Sequence, residues 1–314
     1  MSRVNCLGVL VVDALSAPIG EYPVPKVRTQ VNTQTIRFLP GGGAANTAAA
    51  LGRMGLDAGV FSKVGADLTG EFLVHDLQRV GVDTSGVVMS ADETTPFTFV
   101  GIHGDGDRTF IHTPGANLTF GVEDIDLEAL LSTEMLFYQD FWVKPAIDGA
   151  PGAELMAEAQ RRGVVTLLDE CWGLGPNRET FEMMLPHCDY VMPSLDDMRA
   201  IYGAEAKAEE IAARLLDQGV GTVVVKMGAE GCLVAQGDEA THVPALAAEV
   251  VDTTGAGDCW DAGFIAGLIE GTELVMAARF GNACAAFCIE AVGGAAGVPS
   301  YGEVRARALA DARE

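Results

Sequence analysis

Much of protein chemistry is excluded by what these 314 residues do not contain. Basic residues are scarce, with 20 Lys+Arg against 44 Asp+Glu and a net charge of −24. Binding a phosphate backbone requires a basic face, so no nucleic-acid partner is expected. The acidic surplus reads instead as a solvated surface. The seven cysteines (Cys6, Cys171, Cys188, Cys232, Cys259, Cys284 and Cys288) form no C-x-x-C pair. Cys284 and Cys288, one helical turn apart, read as packing, and an odd count without metal spacing implies reduced thiols in a cytoplasmic setting. The five histidines are scattered and include no H-E-x-x-H, which argues against histidine-based metal or triad chemistry. No apolar stretch approaches 18 residues, so no membrane span is expected. The opening MSRVNCLGVLVVDALS is interrupted by Asn5 and Asp13 and lacks a small-residue cleavage site, and it reads as a buried strand rather than a signal peptide. No low-complexity tract is present.

The remaining pattern is one of short apolar runs alternating with longer helical stretches. Strands are expected at Val4–Val12, Ala58–Lys63, Met135–Tyr138, Val164–Asp169, Tyr190–Pro193 and Thr222–Lys226. Helices are expected at Ala45–Met54, Gly70–Val80, Pro151–Arg162, Leu195–Ile201, Ala208–Gln218, Asp258–Ile269 and Leu274–Ile289. Near-continuous apolar strands separated by helices specify an α/β fold: a three-layer, doubly wound, mostly parallel sheet covered on both faces. Two segments depart from this pattern. Ile19–Leu39 is polar and Pro-punctuated, and TTPFTFVGIHGDGDRTFIH (94–112) has two alternating runs around HGDGD, a hairpin signal. Both segments are interspersed within the main pattern. The expectation is therefore a single domain, 1–314, with a small inserted β-sheet lid from about 15–39 and 94–114.

Two glycine-rich stretches carry the chemistry. In 252-DTTGAGDCWDAGFIAGL-268, Gly255 and Gly257 permit backbone conformations closed to other residues, so that their N–H groups can share one concavity. The helix starting near Asp258 adds unpaired N–H groups and the positive end of its dipole, which together make an anion hole suited to a phosphoryl group. Asp258 at that helix start is expected to be ionised at neutral pH and able to take a hydroxyl proton. Asp261, one turn on, reads as a solvated or packing residue. In 40-PGGGAANTAAALGRMG-55 the glycines and small residues allow close backbone approach, and Asn46 stands out among alanines as a ligand-facing amide. No Lys-Ser/Thr follows the glycines, which excludes a P-loop, and the stretch is not a dinucleotide fingerprint.

Together the two stretches resemble the paired signatures of the ribokinase-like (PfkB) carbohydrate kinase family. Thr109-Phe110-Ile111 with 114-PGAN-117, and 223-VVVKMGAEGCLV-234, fit in order, and the resemblance spans nearly the whole chain. It implies an ATP-dependent kinase using Mg²⁺. Asp258 would be the catalytic base, and Gly255, Ala256 and Gly257 would supply the anion hole. Asp13, placed at the end of the first strand, would bind sugar hydroxyls unless it is only a turn residue; Gly42, Gly43 and Asn46 would complete the substrate pocket. Lys226, Gly228 and Gly231 would line the nucleotide, with Asn282 beside the base, although Lys226 also reads as a strand-end surface lysine.

The chain departs from the family pattern at 193-PSLDD-197, where the family commonly has N-x-x-E. Ser194 replaces Asn, and Asp197, one methylene shorter than Glu, is left to organise water around Mg²⁺. Asp252 and Thr254 match positions that bind a monovalent cation such as K⁺ in some members. Members of the family that act on phosphorylated sugars tend to carry a Lys within the glycine segment; G-G-G-A-A-N has none, so the resemblance implies a small neutral sugar, phosphorylated on a primary hydroxyl. If a sugar phosphate were the substrate, Lys26, Arg28, Arg37 or Lys144 would be the cation. The alternatives are a nucleoside kinase, with Phe97, Phe99, Phe110 or Trp142 stacking on the base, and a non-catalytic sugar sensor. The lid's exposed edge invites pairing into a homodimer, although a monomer fits the sequence as well.

Overall fold

A computed structural model describes residues 3–19, 32–103, 108–171 and 175–310 of the chain. In order, its elements are β1 (Val4–Leu7), β2 (Val11–Ile19), β3 (Thr35–Gly41), α1 (Gly43–Arg53), β4 (Ala58–Gly65), α2 (Leu68–Arg79), β5 (Asp83–Ser90), β6 (Phe97–His103) and β7 (Arg108–Thr113). They continue with α3 (Leu127–Leu130), β8 (Met135–Phe141), α4 (Ala150–Arg161), β9 (Val165–Glu170), α5 (Arg178–Met184), β10 (Tyr190–Val191), α6 (Leu195–Tyr202) and α7 (Ala208–Asp217). The last are β11 (Thr222–Lys226), β12 (Cys232–Gln236), β13 (Glu239–Val243), α8 (Ala256–Glu270), α9 (Leu274–Ile289) and α10 (Tyr301–Ala310).

The large sheet runs β13-β12-β11-β10-β9-β8-β1-β4-β5, parallel except where β12 and β13 join antiparallel. Its side chains alternate between two buried clusters. Cys6 packs with Ala44–Leu51 of α1 and with Phe264 and Phe280 of α8 and α9. Leu7, next along β1, packs instead with Met156, Phe181 and Ile211 of α4, α5 and α7. Helices therefore cover both faces, as the apolar strands required. β1 is flanked by β4 on one side and β8 on the other, so strand order reverses there, the kind of switch point beside which open sheets hold ligands.

The second sheet has the order β3-β2-β6-β7, with β6 and β7 as the anticipated hairpin. One expectation fails here. Val4–Val12 is not a single strand: it breaks at Gly8-Val9-Leu10, and Val11 and Val12 already belong to the small sheet. Asp13 accordingly lies within β2 rather than at the end of the first strand. The break has a polar cause, because the Val9 N–H turns to the buried Asp140 carboxylate at 2.8 Å instead of extending the ladder.

α8 is apolar on every side, which suits a helix enclosed between the sheet and α9. Small residues let the two helices approach closely. A Cβ added at Gly263 would stand 2.4 Å from the Phe280 carbonyl oxygen, too near for any side chain. Gly263→Ala is therefore expected to lower stability by about 1–3 kcal/mol through overpacking, despite the ~1 kcal/mol that alanine gains in helix propensity. Urea denaturation measures the balance, and an unchanged or higher midpoint would show that the helices are not in contact there.

Candidate active site

The sequence around residue 255 turns sharply into a helix. Gly255 caps α8 in the left-handed region, at φ 71°, a conformation that side chains rarely tolerate. The Ala256 N–H reaches back to the Thr253 carbonyl at a long 3.3 Å. No acceptor among the described residues meets the N–H groups of Gly255, Gly257 or Asp258, so the turn presents unsatisfied donors at the positive end of the α8 dipole.

α1 clamps this turn. The Asn46 side-chain N–H donates to Asp258 Oδ2 at 2.8 Å, and the Thr47 hydroxyl donates to the Asp258 carbonyl at 3.0 Å. Gln139, at the end of β8, in turn donates to Thr47 Oγ1 at 2.8 Å. The start of α1 is held by Asp140, which is buried with an unusual φ of 55°. Its carboxylate accepts the N–H groups of Val9 (2.8 Å), Gly43 (2.9 Å) and Ala44 (3.1 Å). Gly42 is the left-handed N-cap of α1. The amides of Gly43 and Asn46 are thus engaged with protein carboxylates in this state.

The electrostatics depart from the expectation that the helix dipole keeps Asp258 ionised at neutral pH. Burial, and next the charge of Asp140, push its carboxyl up to about 7, against the donor from Asn46. At neutrality the residue is poised between its two protonation states, which suits a group that must take up a proton. Asp13 is likewise pushed up by burial, to about 6, with a Thr98 hydrogen bond opposing.

A cavity of about 860 Å³ opens beside the turn, at the carboxyl ends of β9 and β11. Lys226, Gly228, Gly231, Gly257, Asp258 and Asn282 line it, as does Asp197. Asp13, Gly42, Gly43 and Asn46 do not. Of these, Asn46 contacts Asp258 and the backbone at Gly294. Asn282 lines the cavity with its amide engaged: it accepts from the Trp260 indole at 2.7 Å and donates to the Pro244 carbonyl at 2.8 Å. Asp252 accepts the Thr254 N–H and hydroxyl (2.9 and 2.7 Å) and the Gly293 N–H (3.0 Å).

Two expectations are corrected by the same ion pair. Lys226 is not a surface lysine, and Asp261 is not solvated. The Lys226 ammonium lies 2.8 Å from Asp169 Oδ2 and 3.1 Å from Asp261 Oδ1, and Asp261 is fully buried. Burial works against this ammonium, yet Asp169, Asp261 and Glu170 together hold its pKa above that of ordinary lysine. Asp140, Asp169 and Glu170 were not singled out from the sequence. Their only signal was a carboxylate at the carboxyl end of an apolar strand, the edge where such sheets bind ligands.

Several candidates for substrate contact are redirected. Trp142 is buried in the core with its indole on the Asn177 carbonyl at 3.0 Å, so it cannot stack on a ligand. Lys144 is fully buried, with its ammonium on the carbonyls of Gln139 and Asp140. Arg37 is exposed on β3, and Lys26 and Arg28 lie outside the described residues. Phe97 and Phe99 lie on the face of the small sheet opposite Asp13, whereas Phe110 shares the Asp13 face.

Comparison with known proteins agrees with the motifs. The family described as pfkB family carbohydrate kinase matches residues 3–300. A ribokinase of Staphylococcus aureus is 27% identical over 271 residues, covering 84% of this chain and 86% of that protein. A nucleoside kinase of Methanothermobacter thermautotrophicus is 28% identical over 288 residues, 91% of this chain and 89% of that one. A solved Arabidopsis thaliana ribokinase complexed with ribose and ATP aligns with a TM-score of 0.85 at 25% identity, covering 98% of this chain and 99% of its own. An E. coli structure described as a ribokinase II in complex with ATP and Mg²⁺ gives 0.82 at 25% identity, with 98% and 99% coverage.

The Asp258 titration can be followed directly by carbon NMR of the labelled carboxyl, with a midpoint expected near 7. Asn46→Ala removes the donor that favours the anion and should raise that midpoint by about one pH unit, the scale of one hydrogen bond to a charged group. A midpoint that falls or stays put would show that Asn46 does not set the state of Asp258.

Proposed function

The chain belongs to the pfkB family of carbohydrate kinases, and from that premise we propose that it transfers the γ-phosphoryl group of ATP to a hydroxyl of a small neutral sugar. The observation that carries this reading is the Asp258 carboxylate, held by Asn46 beside a turn of unpaired N–H groups. In the reaction, the acceptor hydroxyl gives its proton to Asp258 while its oxygen takes the phosphoryl group. The backbone N–H groups of 255–258 meet the charge that spreads over the transferring group, because phosphoryl transfer relies on positioning and charge stabilisation. Asp13, beside the Gly41 backbone, accepts hydrogen bonds from hydroxyls of the sugar. Lys226, Gly228, Gly231 and Asn282 border the nucleotide cavity.

Mg²⁺ bound with the nucleotide would neutralise phosphate charge. The residues present fit such a cation, since two buried carboxylate oxygens, Asp169 Oδ1 and Glu170 Oε2, receive no hydrogen bond among the described residues. Asp197 lines the same cavity. The Asp252–Thr254 turn is the candidate position for K⁺, to be checked by exchanging K⁺ for a bulky organic cation in the assay.

Neutrality of the substrate rests on the glycine segment and on Lys144, whose charge is engaged by backbone carbonyls. A nucleoside remains the second reading, favoured by one observation: Phe110 is 61% exposed on the Asp13 face of the lid. The small sheet would close over the sugar and exclude water as a competing acceptor. Its strands also expose Ile36, Phe38 and Ile111, a surface suited to a second copy. No helix among the described residues is long and apolar enough to cross a membrane. We place the protein in the cytoplasm on its seven free cysteines, six of them buried.

ADP release measured over panels of sugars, nucleosides and sugar phosphates should show turnover with a neutral sugar, rising with pH through an apparent pKa near 7. Asp258→Asn should cut kcat by about 10²–10⁴ with sugar binding retained. Activity confined to nucleosides or sugar phosphates would replace the substrate proposed, and sugar binding without ADP would indicate a sensor. In sedimentation at micromolar concentration the protein should be a dimer and Phe38→Glu a monomer. A monomeric wild type would remove the lid from consideration as an interface.

A further inference from the structure

The stretch 193–197 ties its acid to its own helix start. Ser194 caps α6: its hydroxyl accepts the Asp197 N–H at 3.1 Å and donates to Asp197 Oδ2 at 2.7 Å. The shorter acid is thus drawn back onto its own helix cap.

Beside it, β9 ends in Asp169-Glu170. Glu170 is 7% exposed, and its Oε1 accepts the Ser194 N–H at 2.8 Å, which holds the side chain against the start of α6. Its Oε2 has no partner among the described residues. Asp169, 5% exposed, gives Oδ2 to Lys226 and keeps Oδ1 unmet. Both residues line the cavity. A carboxylate oxygen removed from water without a donor is costly, and a cation or a proton relieves it.

The cavity lining as a whole favours a cation. Asp169, Glu170, Asp196, Asp197, Glu230 and Asp258 contribute six carboxyl groups, against Arg199 and Lys226. Lys226 is held between Asp169 and Asp261, and Arg199 by Asp196 and the Ala206 carbonyl. A polyphosphate entering alone would meet a surplus of like charge, whereas one carrying a divalent cation would not.

Building on the kinase reading above, we propose that Glu170 supplies the carboxylate that holds the nucleotide's divalent cation, with Asp169 beside it. It thereby does the work that the shorter Asp197, tied to Ser194, is less able to do. Each acid has one oxygen engaged with Ser194, but Glu170 is one methylene longer and its second oxygen is buried without a donor among the described residues.

The full chain is titrated with Mn²⁺ in the presence of β,γ-imido-ATP, with bound metal read by electron paramagnetic resonance. Glu170→Gln keeps an oxygen to accept the Ser194 N–H but loses the charge, and should weaken Mn²⁺ by about tenfold or more, the scale of losses around metal sites. Asp197→Asn should weaken it less than about threefold, by the same scale. Metal-free binding of the analogue, measured in chelator, should be unchanged in both. Glu170→Asp, which retains the charge at shorter reach, should fall between wild type and Glu170→Gln and serves if the Gln variant does not fold. Wild-type Mn²⁺ affinity in Glu170→Gln, as expected if Glu170 is simply protonated, overturns the proposal, and so does a larger loss in Asp197→Asn. A wild type that binds no Mn²⁺ with the analogue overturns the kinase reading of this site as well.

Discussion

The junction of α1 with the first turn of α8 is the constraint on which the site depends. A carboxylate beside a set of unpaired N–H groups would ordinarily swing onto them and cap its own helix. Asn46 engages it instead, donating to Oδ2 at 2.8 Å, while Thr47 fixes the backbone of the same residue. The N–H groups of the turn are therefore left without an acceptor among the described residues, the arrangement that the proposed anion hole and base require. The junction in turn rests on Asp140, which gathers three backbone N–H groups from the end of β1 and the start of α1. One buried carboxylate thus aligns the glycine segment, and its charge also raises the proton affinity of Asp258.

Carboxylates dominate the interior of the site more than the net charge of −24 alone would suggest. Asp140, Asp169, Glu170 and Asp261 are all buried, and Lys226 is the cation that holds two of them together. Such a cluster is poorly stable in isolation, because buried charge needs compensation. On the proposed reading the compensating charge is the divalent cation that accompanies the nucleotide, because the polyphosphate itself is anionic. A fold that leaves two carboxylate oxygens without donors among its described residues is consistent with that division of labour.

The strand–helix alternation was legible where an element is long and apolar enough to show its period, whereas β5, β13, α5 and α10 were not anticipated. β11 and α9 begin and end at the residues expected. The run Val4–Val12 was not legible as two strands, since apolar continuity carries no mark of where a chain changes sheet; the break is made by Asp140, over 130 residues away. The surface alternative for Lys226 and the solvated alternative for Asp261 failed for the same reason, since neither shows its partner until the fold places the two together.

Local chemistry determined the glycine turn at 255–257, the acid that follows it and the alternating layers, because φ freedom, helix dipoles and periodicity are properties of neighbouring residues. Charge state and partnership were decided only by the tertiary structure. Whether a carboxylate is ionised, engaged or left without a donor depends on what the fold brings within about 3 Å of it, and those groups come from distant parts of the chain.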